Sequence, residues 1–267
     1  MFLFACNKEN QKKLMTTTKD KIEVKVGESG SDFKNRYPDF VRVNDQPVGA
    51  TFYKVDWEEN KKGVVYFEKG KYSFKIDNVL GFSGSEDLEL KNEGMYQFNL
   101  ISGLSSKDGV SHQHALKEFM RILSGLKSHG WQSVTPYSAP RLTGKDMFNY
   151  LLETQRPTTL DAAYEPSLDE WMKLKDLTTW ELYANGTFLQ LSFARDSTKL
   201  DLSKPGSYVL NLTLQSDINY FKGFVPPLQR TQWRELLPNE LKKALARRSL
   251  LEVELRAKGL QIDESYR

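Results

Sequence analysis

The stretch EGMYQFNL (93–100) recurs as PGSYVLNL (205–212), the two sharing Gly-x-Tyr-x-x-Asn-Leu. A repeat of this kind constrains the fold strongly, because each copy must then be the same supersecondary unit. Upstream, YFEKGKYSFKI (66–76) can be laid against LYANGTFLQLSF (182–193), with turn glycine Gly70 on Gly186. Downstream, LKSHGWQSV (126–134) matches LRAKGLQID (255–263), each a helix end, a glycine and an apolar strand start. Three matches in one order predict two copies of a β-hairpin, a third strand and a helix. The expected class is α+β, in two lobes with mostly antiparallel sheets. The alternative is convergence, since hairpin-then-helix patterns are common.

Local patterns fill in the elements. Ile22, Val24 and Val26 alternate with charges as in a half-buried strand, and TFYKVDW (51–57), GVVYF (63–67), KYSFKI (71–76) and GMYQFNLI (94–101) read as further strands. A helix is expected from near Ser111, with Leu116, Phe119, Leu123 and Leu126 on one face, ended by Gly130. Between the copies, TGKDMFNYLLE reads as a short helix stopped before Pro157. SLDEWMKLK opens with a capping box, Ser167 to Glu170. The expected layout is a leader and polar tether over 1–20, a first lobe over 21–142, a helical interlobe segment over 143–179 and a second lobe over 180–267.

Composition narrows the function classes. Of 267 residues, 38 are basic and 35 acidic, a balance that offers no long-range field for nucleic acid. Aromatics at 12% supply enough apolar surface for a core. The single cysteine, Cys6, closes no internal disulfide and builds no cysteine zinc site. No metal or cofactor is expected. His112 and His114 diverge by about 200° on a helix and read as solvated, while His129 suits a helix C-terminus. Gly81-Phe82-Ser83-Gly84-Ser85 misses the second glycine of a hydrolase elbow and reads as a loop. Glu86, Asp87, Glu89, Asp169 and Glu170 sit in polar contexts without a reason for a raised pKa. The run Lys242, Lys243, Arg247 and Arg248 reads as a solvated helix face, with Leu241, Leu245, Leu251 and Leu255 as the apolar side. No enzymatic activity is expected.

The spacing within the repeat points to a binding region. Gly94 and Gly130 are 36 positions apart, Gly206 and Gly259 53, so the second copy carries 17 more residues. They concentrate at 216–238, which holds Tyr220, Phe221, Phe224, Arg230, Trp233 and Arg234 beside two prolines. Aromatics and arginines are the residues that dominate protein interfaces. These rings serve equally well to cover their own lobe. A second candidate is the acidic interlobe stretch around Tyr164, Asp169, Glu170 and Trp171.

Leu3-Phe4-Ala5-Cys6 resembles the lipobox of bacterial lipoproteins. The resemblance implies cleavage ahead of Cys6 and lipidation of its thiol, which would anchor the chain through several acyl chains. Only four apolar residues follow Met1, where a signal peptide carries roughly 7–15. The segment is therefore read as the end of a longer signal, followed by the polar tether NKENQKKLMTTTKD; a buried cysteine is the structural alternative. Asn7 after the cysteine implies the outer membrane and a periplasmic location. With LTTWELYANGTFLQLSFAR (177–195) as its most characteristic stretch, the whole resembles lipoproteins encoded beside type VI secretion effectors in Gram-negative bacteria. That resemblance implies an immunity protein that occludes a secreted toxin, such as a phospholipase or peptidoglycan hydrolase. The alternatives are an envelope-assembly or ligand-binding lipoprotein with a cleft between lobes, and an envelope enzyme using unrecognised acids.

Overall fold

A computed structural model describes residues 20–266, apart from 48, 59, 89–92 and 157. Ten strands form one sheet: β1 (Lys21–Lys25), β2 (Arg42–Gln46), β3 (Ala50–Asp56), β4 (Gly63–Glu68), β5 (Phe74–Asp87), β6 (Met95–Gly103), β7 (Gln132–Ser133), β8 (Thr179–Ala184), β9 (Thr187–Arg195) and β10 (Tyr208–Ser216). Among the described residues six helices accompany them: α1 (Gly30–Arg36), α2 (His112–Ser128), α3 (Gly144–Thr154), α4 (Leu168–Lys173), α5 (Asp217–Lys222) and α6 (Trp233–Ala257). The strand order is β1-β4-β5-β6-β10-β9-β8-β7, and β3, carrying β2, joins β5. All pairs are antiparallel except β1 with β4. The class is α+β, as the patterning predicts.

The repeat has a direct structural counterpart. β6 and β10 pair with each other, and Leu100 lies directly opposite Leu212, its own equivalent in the repeated motif. Asn99 then faces Thr213, and its equivalent Asn211 faces Ile101, as a two-fold axis between the two leucines requires. Both repeat helices also end alike. Gly130 and Gly259 sit at φ of 90° and 84°. Trp131 N–H donates to Leu126 C=O and Leu260 N–H to Leu255 C=O, at 3.2 and 3.1 Å. These are paired Schellman ends in which a residue with a Cβ would be strained. The hairpins match only in order. Asn185-Gly186 makes a two-residue turn with φ of 42° and 75°, whereas Gly70 opens a 3-10 turn. β5 runs 14 residues because it pairs β4 along its first half and β3 along its second.

The two halves of the duplicated unit are joined edge to edge. Strands β6 and β10 close the junction, and one continuous apolar cluster contains residues of both halves. On its inner side, α2 buries Leu116, Phe119, Leu123 and Leu126 as its periodicity predicts. The α4 capping box forms, with Ser167 N–H donating to Glu170 Oε2 at 2.9 Å.

Four readings need correction. Gly81–Ser85 lies in mid-strand in β5, with Ser83 between Lys54 and Asn99 of the neighbouring strands. Small residues are needed there, since a Cβ at Gly84 would run into Met95. His112 is buried, not solvated: its Nδ1 lies 2.5 Å from Tyr208 Oη and its Nε2 3.2 Å from Asp201 C=O. Arg248 is also buried, donating to the carbonyls of Ala139 and Pro136 at 3.0 Å each. Finally, α6 docks through only part of its leucine stripe. Its buried positions are Ala244, Arg248, Glu252 and Leu255, and Leu245 is left exposed. Glu252 meets Arg141 at 2.8 Å, so this helix is keyed by charge-assisted hydrogen bonds to the 134–141 segment.

Candidate functional site: the groove beneath the insertion

The extra residues of the second copy begin where β10 ends. Ser216 Oγ accepts from Asn219 N–H and starts α5. Tyr220 then stacks flat on Phe188 of β9, ring centroids 3.6 Å apart. Phe221 and Phe224 join the same aromatic cluster and pack on Tyr137, at 6.2 and 5.6 Å. After Pro226, a 3-10 turn over Pro227–Gln232 carries the chain outward and delivers Trp233 to the start of α6. Leu228 stands fully exposed on that turn.

This path encloses a groove of about 610 Å³ against the ends of β5, β6 and β10. Tyr220, Arg230, Trp233 and Arg234 line it together with the acids Asp87 and Glu93. The floor is made of amides. Asn219 Nδ2 donates to Gln215 Oε1 at 2.7 Å and to Gln97 Oε1 at 3.1 Å. Lys222 closes one end through an ion pair with Glu93 at 3.2 Å. The Arg234 guanidinium lies 4.7 Å from the Trp233 ring centroid, a cation–π pair that pre-orients both. Tyr96 lines the groove with its phenol pushed up, first by burial and then by the nearby Asp87, so it stays a neutral hydrogen-bonding group.

Four of the seven residues expected to contact a partner therefore converge on one groove. Phe221 and Phe224 support it from behind. Trp171 is no contact residue: it is fully buried, stacked on Phe193 with centroids 4.0 Å apart and flanked by Phe119 and Trp180. The capping box that starts α4 swings its indole onto the sheet. Of its acidic neighbours, Glu170 is committed to that box and to Tyr164 Oη at 2.8 Å. Reading the chain alone missed the floor residues Gln97, Gln215 and Asn219. The repeat held a hint, since Gln97 lies inside the Gly-x-Tyr-x-x-Asn-Leu motif whose second copy precedes the insertion.

Among the described residues no cluster of three His, Cys, Asp or Glu side chains is placed to hold a metal ion. No helix among them is long and apolar enough to cross a membrane. Cys6, Glu89 and Pro157 lie outside the described residues. Compared with protein-family models, curated protein sequences and solved structures, the chain matches none.

Proposed function

We propose that this protein is a binding protein that holds a single secreted protein partner through its 216–238 insertion, as a membrane-anchored immunity lipoprotein would hold a toxin. The supporting observation is the convergence of Tyr220, Arg230, Trp233 and Arg234 on one groove with an amide floor. Arginines read carboxylates and carbonyls with directional hydrogen bonds, and a pre-oriented Trp offers contact area at low entropic cost. In this reading Leu228 seats in a pocket of the partner, and inhibition follows from occlusion of the toxin's active site or of its approach to the membrane. The lipobox resemblance at Cys6 carries the periplasmic, outer-membrane location of the proposal.

A pull-down of tagged protein from the producing strain is expected to yield one stoichiometric secreted partner; a set of envelope proteins instead would favour envelope assembly. With that partner in hand, the double variant Trp233→Ala/Arg230→Ala is expected to weaken binding about 1,000-fold, the scale of two interface hot spots of about 2 kcal/mol each. Arg230 is exposed and Trp233 half-buried, so circular dichroism should show an intact fold. Unchanged affinity in that folded variant removes the insertion as the contact surface. Separately, Cys6→Ser is expected to move the protein from the membrane fraction to the soluble fraction. A wild-type chain already soluble would end the anchor reading.

A further inference from the structure

A second groove lies on the sheet face turned away from α2. In β8, Trp180 and Leu182 are core residues, so the intervening Glu181 points to the opposite face, with Gln190 of β9 directly across from it. The end of α3 and the segment around Pro136 roof this part of the sheet incompletely, leaving about 420 Å³. Glu181 lines this space although it is only 6% exposed. Among the described residues no hydrogen bond or ion pair reaches its carboxyl, Tyr220 of α5 is a titratable group within its electrostatic reach, and burial pushes the acid up to about 7. A carboxyl taken out of water without a partner is costly, and nothing in the packing of β8 requires an acid there.

The walls add two further features. Leu151, Leu152 and Leu177 make an apolar side, and the exposed Arg156 and Lys175 stand on the rim. Leu177 holds a left-handed backbone, φ 64°, while its side chain is 63% exposed. Its N–H donates to Phe193 C=O at 2.8 Å, which fixes the strained residue at the mouth. Such strain costs about 1–3 kcal/mol and persists where the surroundings enforce it. The groove thus has an acid at its base, leucines in its lining, and at its mouth Arg156 and Lys175 beside Asp176, whose carboxylate is paired with Arg195 at 3.4 Å.

We propose that this groove binds a zwitterion of the amino-acid class, a free amino acid or a short peptide, with its ammonium on Glu181 and Gln190. Its aliphatic side chain lies against Leu151, Leu152 and Leu177, and its carboxylate faces Arg156 and Lys175. The ammonium supplies the charge partner that the buried carboxyl lacks, and the three-donor head suits a carboxylate beside an amide oxygen. Tyr220 of the insertion lies within electrostatic reach of Glu181, so the two grooves are neighbours, but the ligand proposed here does not depend on the partner proposed for the other.

The test is a titration of the ¹⁵N-labelled full chain with leucine, leucyl-glycine and N-acetyl-leucine, followed through the amides of Thr159, Thr179 and Gln190. Saturable shifts are expected from leucine or leucyl-glycine and none from N-acetyl-leucine, which lacks the ammonium. The tighter of the first two identifies the source as free amino acid or peptide. Glu181→Gln should weaken binding at least about tenfold, the scale of one charge-assisted hydrogen bond. Arg156→Ala/Lys175→Ala, confined to exposed side chains, should weaken it about fivefold, in keeping with a partly screened ion pair. No saturable shift from leucine or leucyl-glycine up to about 10 mM, a very weak limit, overturns the proposal. So does N-acetyl-leucine binding as well as leucine, or Glu181→Gln keeping wild-type affinity.

Discussion

Glu181→Gln will gain stability relative to the wild-type chain as pH rises from about 4.5 to about 7, by on the order of 3 kcal/mol, and the gain will level off above that. The acid's folded-state value, about 7, lies above its ordinary 4.5. Below 4.5 the carboxyl is protonated in both the folded and the unfolded chain and costs nothing. Between the two values the unfolded chain gives up the proton and the folded chain keeps it, so the wild-type protein loses stability as pH rises. Above 7 both forms are ionised and the penalty is complete. Glutamine has the same shape and no charge to bury, so its curve lacks this slope. Urea unfolding of both proteins between pH 4 and 8.5 reads the effect as a difference, in which the other titrating groups largely cancel. A difference that stays flat across this range would mean that the carboxyl reaches water in solution. The same pair of proteins serves the ligand titration: a bound ammonium should narrow the stability gap at pH 8 by binding the wild-type chain more tightly.

Trp171→Ala is expected to cost about 3–5 kcal/mol, the range for deleting a buried indole. The residue is fully enclosed by Phe119 of α2, Trp180 and Phe193 of the sheet and Tyr208 of β10, so its loss removes the contact that holds α4 to the core. Trp171→Phe should be much milder, about 1.5 kcal/mol or less. It keeps an aromatic ring in the stack and removes an indole N–H that has no hydrogen-bond partner where it is buried. Denaturant midpoints at constant m-value check both variants. The Phe variant should also bind the partner as tightly as wild type. If Trp171→Ala left stability unchanged, the indole would have to be exposed, and its place among the contact residues would be restored.

The contrast between these two residues shows which signals were legible in the chain. Trp171 was read as a contact residue because its neighbours are acidic and polar. Its side-chain direction depends on how the Ser167 capping box sets α4 against the sheet, and composition does not carry that. Glu181 sits in Thr179-Trp180-Glu181-Leu182, where the alternation of β8 puts the acid on the face opposite Trp180 and Leu182. It is buried because α3 and the segment around Pro136, distant in the chain, roof that face. The basic run on α6 failed in the same way. Arg248 and Glu252 are buried because carbonyls of 135–139 and the Arg141 guanidinium come to meet them.

By itself, the sequence determined what depends on neighbours along the chain. Glycines at helix ends, the serine caps of α2 and α4, the Asn-Gly turn and the alternation of β1, β3 and β4 act within a few residues. The repeat of Gly-x-Tyr-x-x-Asn-Leu went further, because copies of one unit carry the same edge, and those edges meet with Leu100 opposite Leu212. Only the tertiary structure decided that this pairing joins the halves into one sheet, which strand continues through Gly81–Ser85, and which polar side chains are enclosed. Those outcomes rest on contacts between segments far apart in the chain. There the desolvation of a single carboxyl or guanidinium depends on whatever packs over it, and no local pattern encodes that cover.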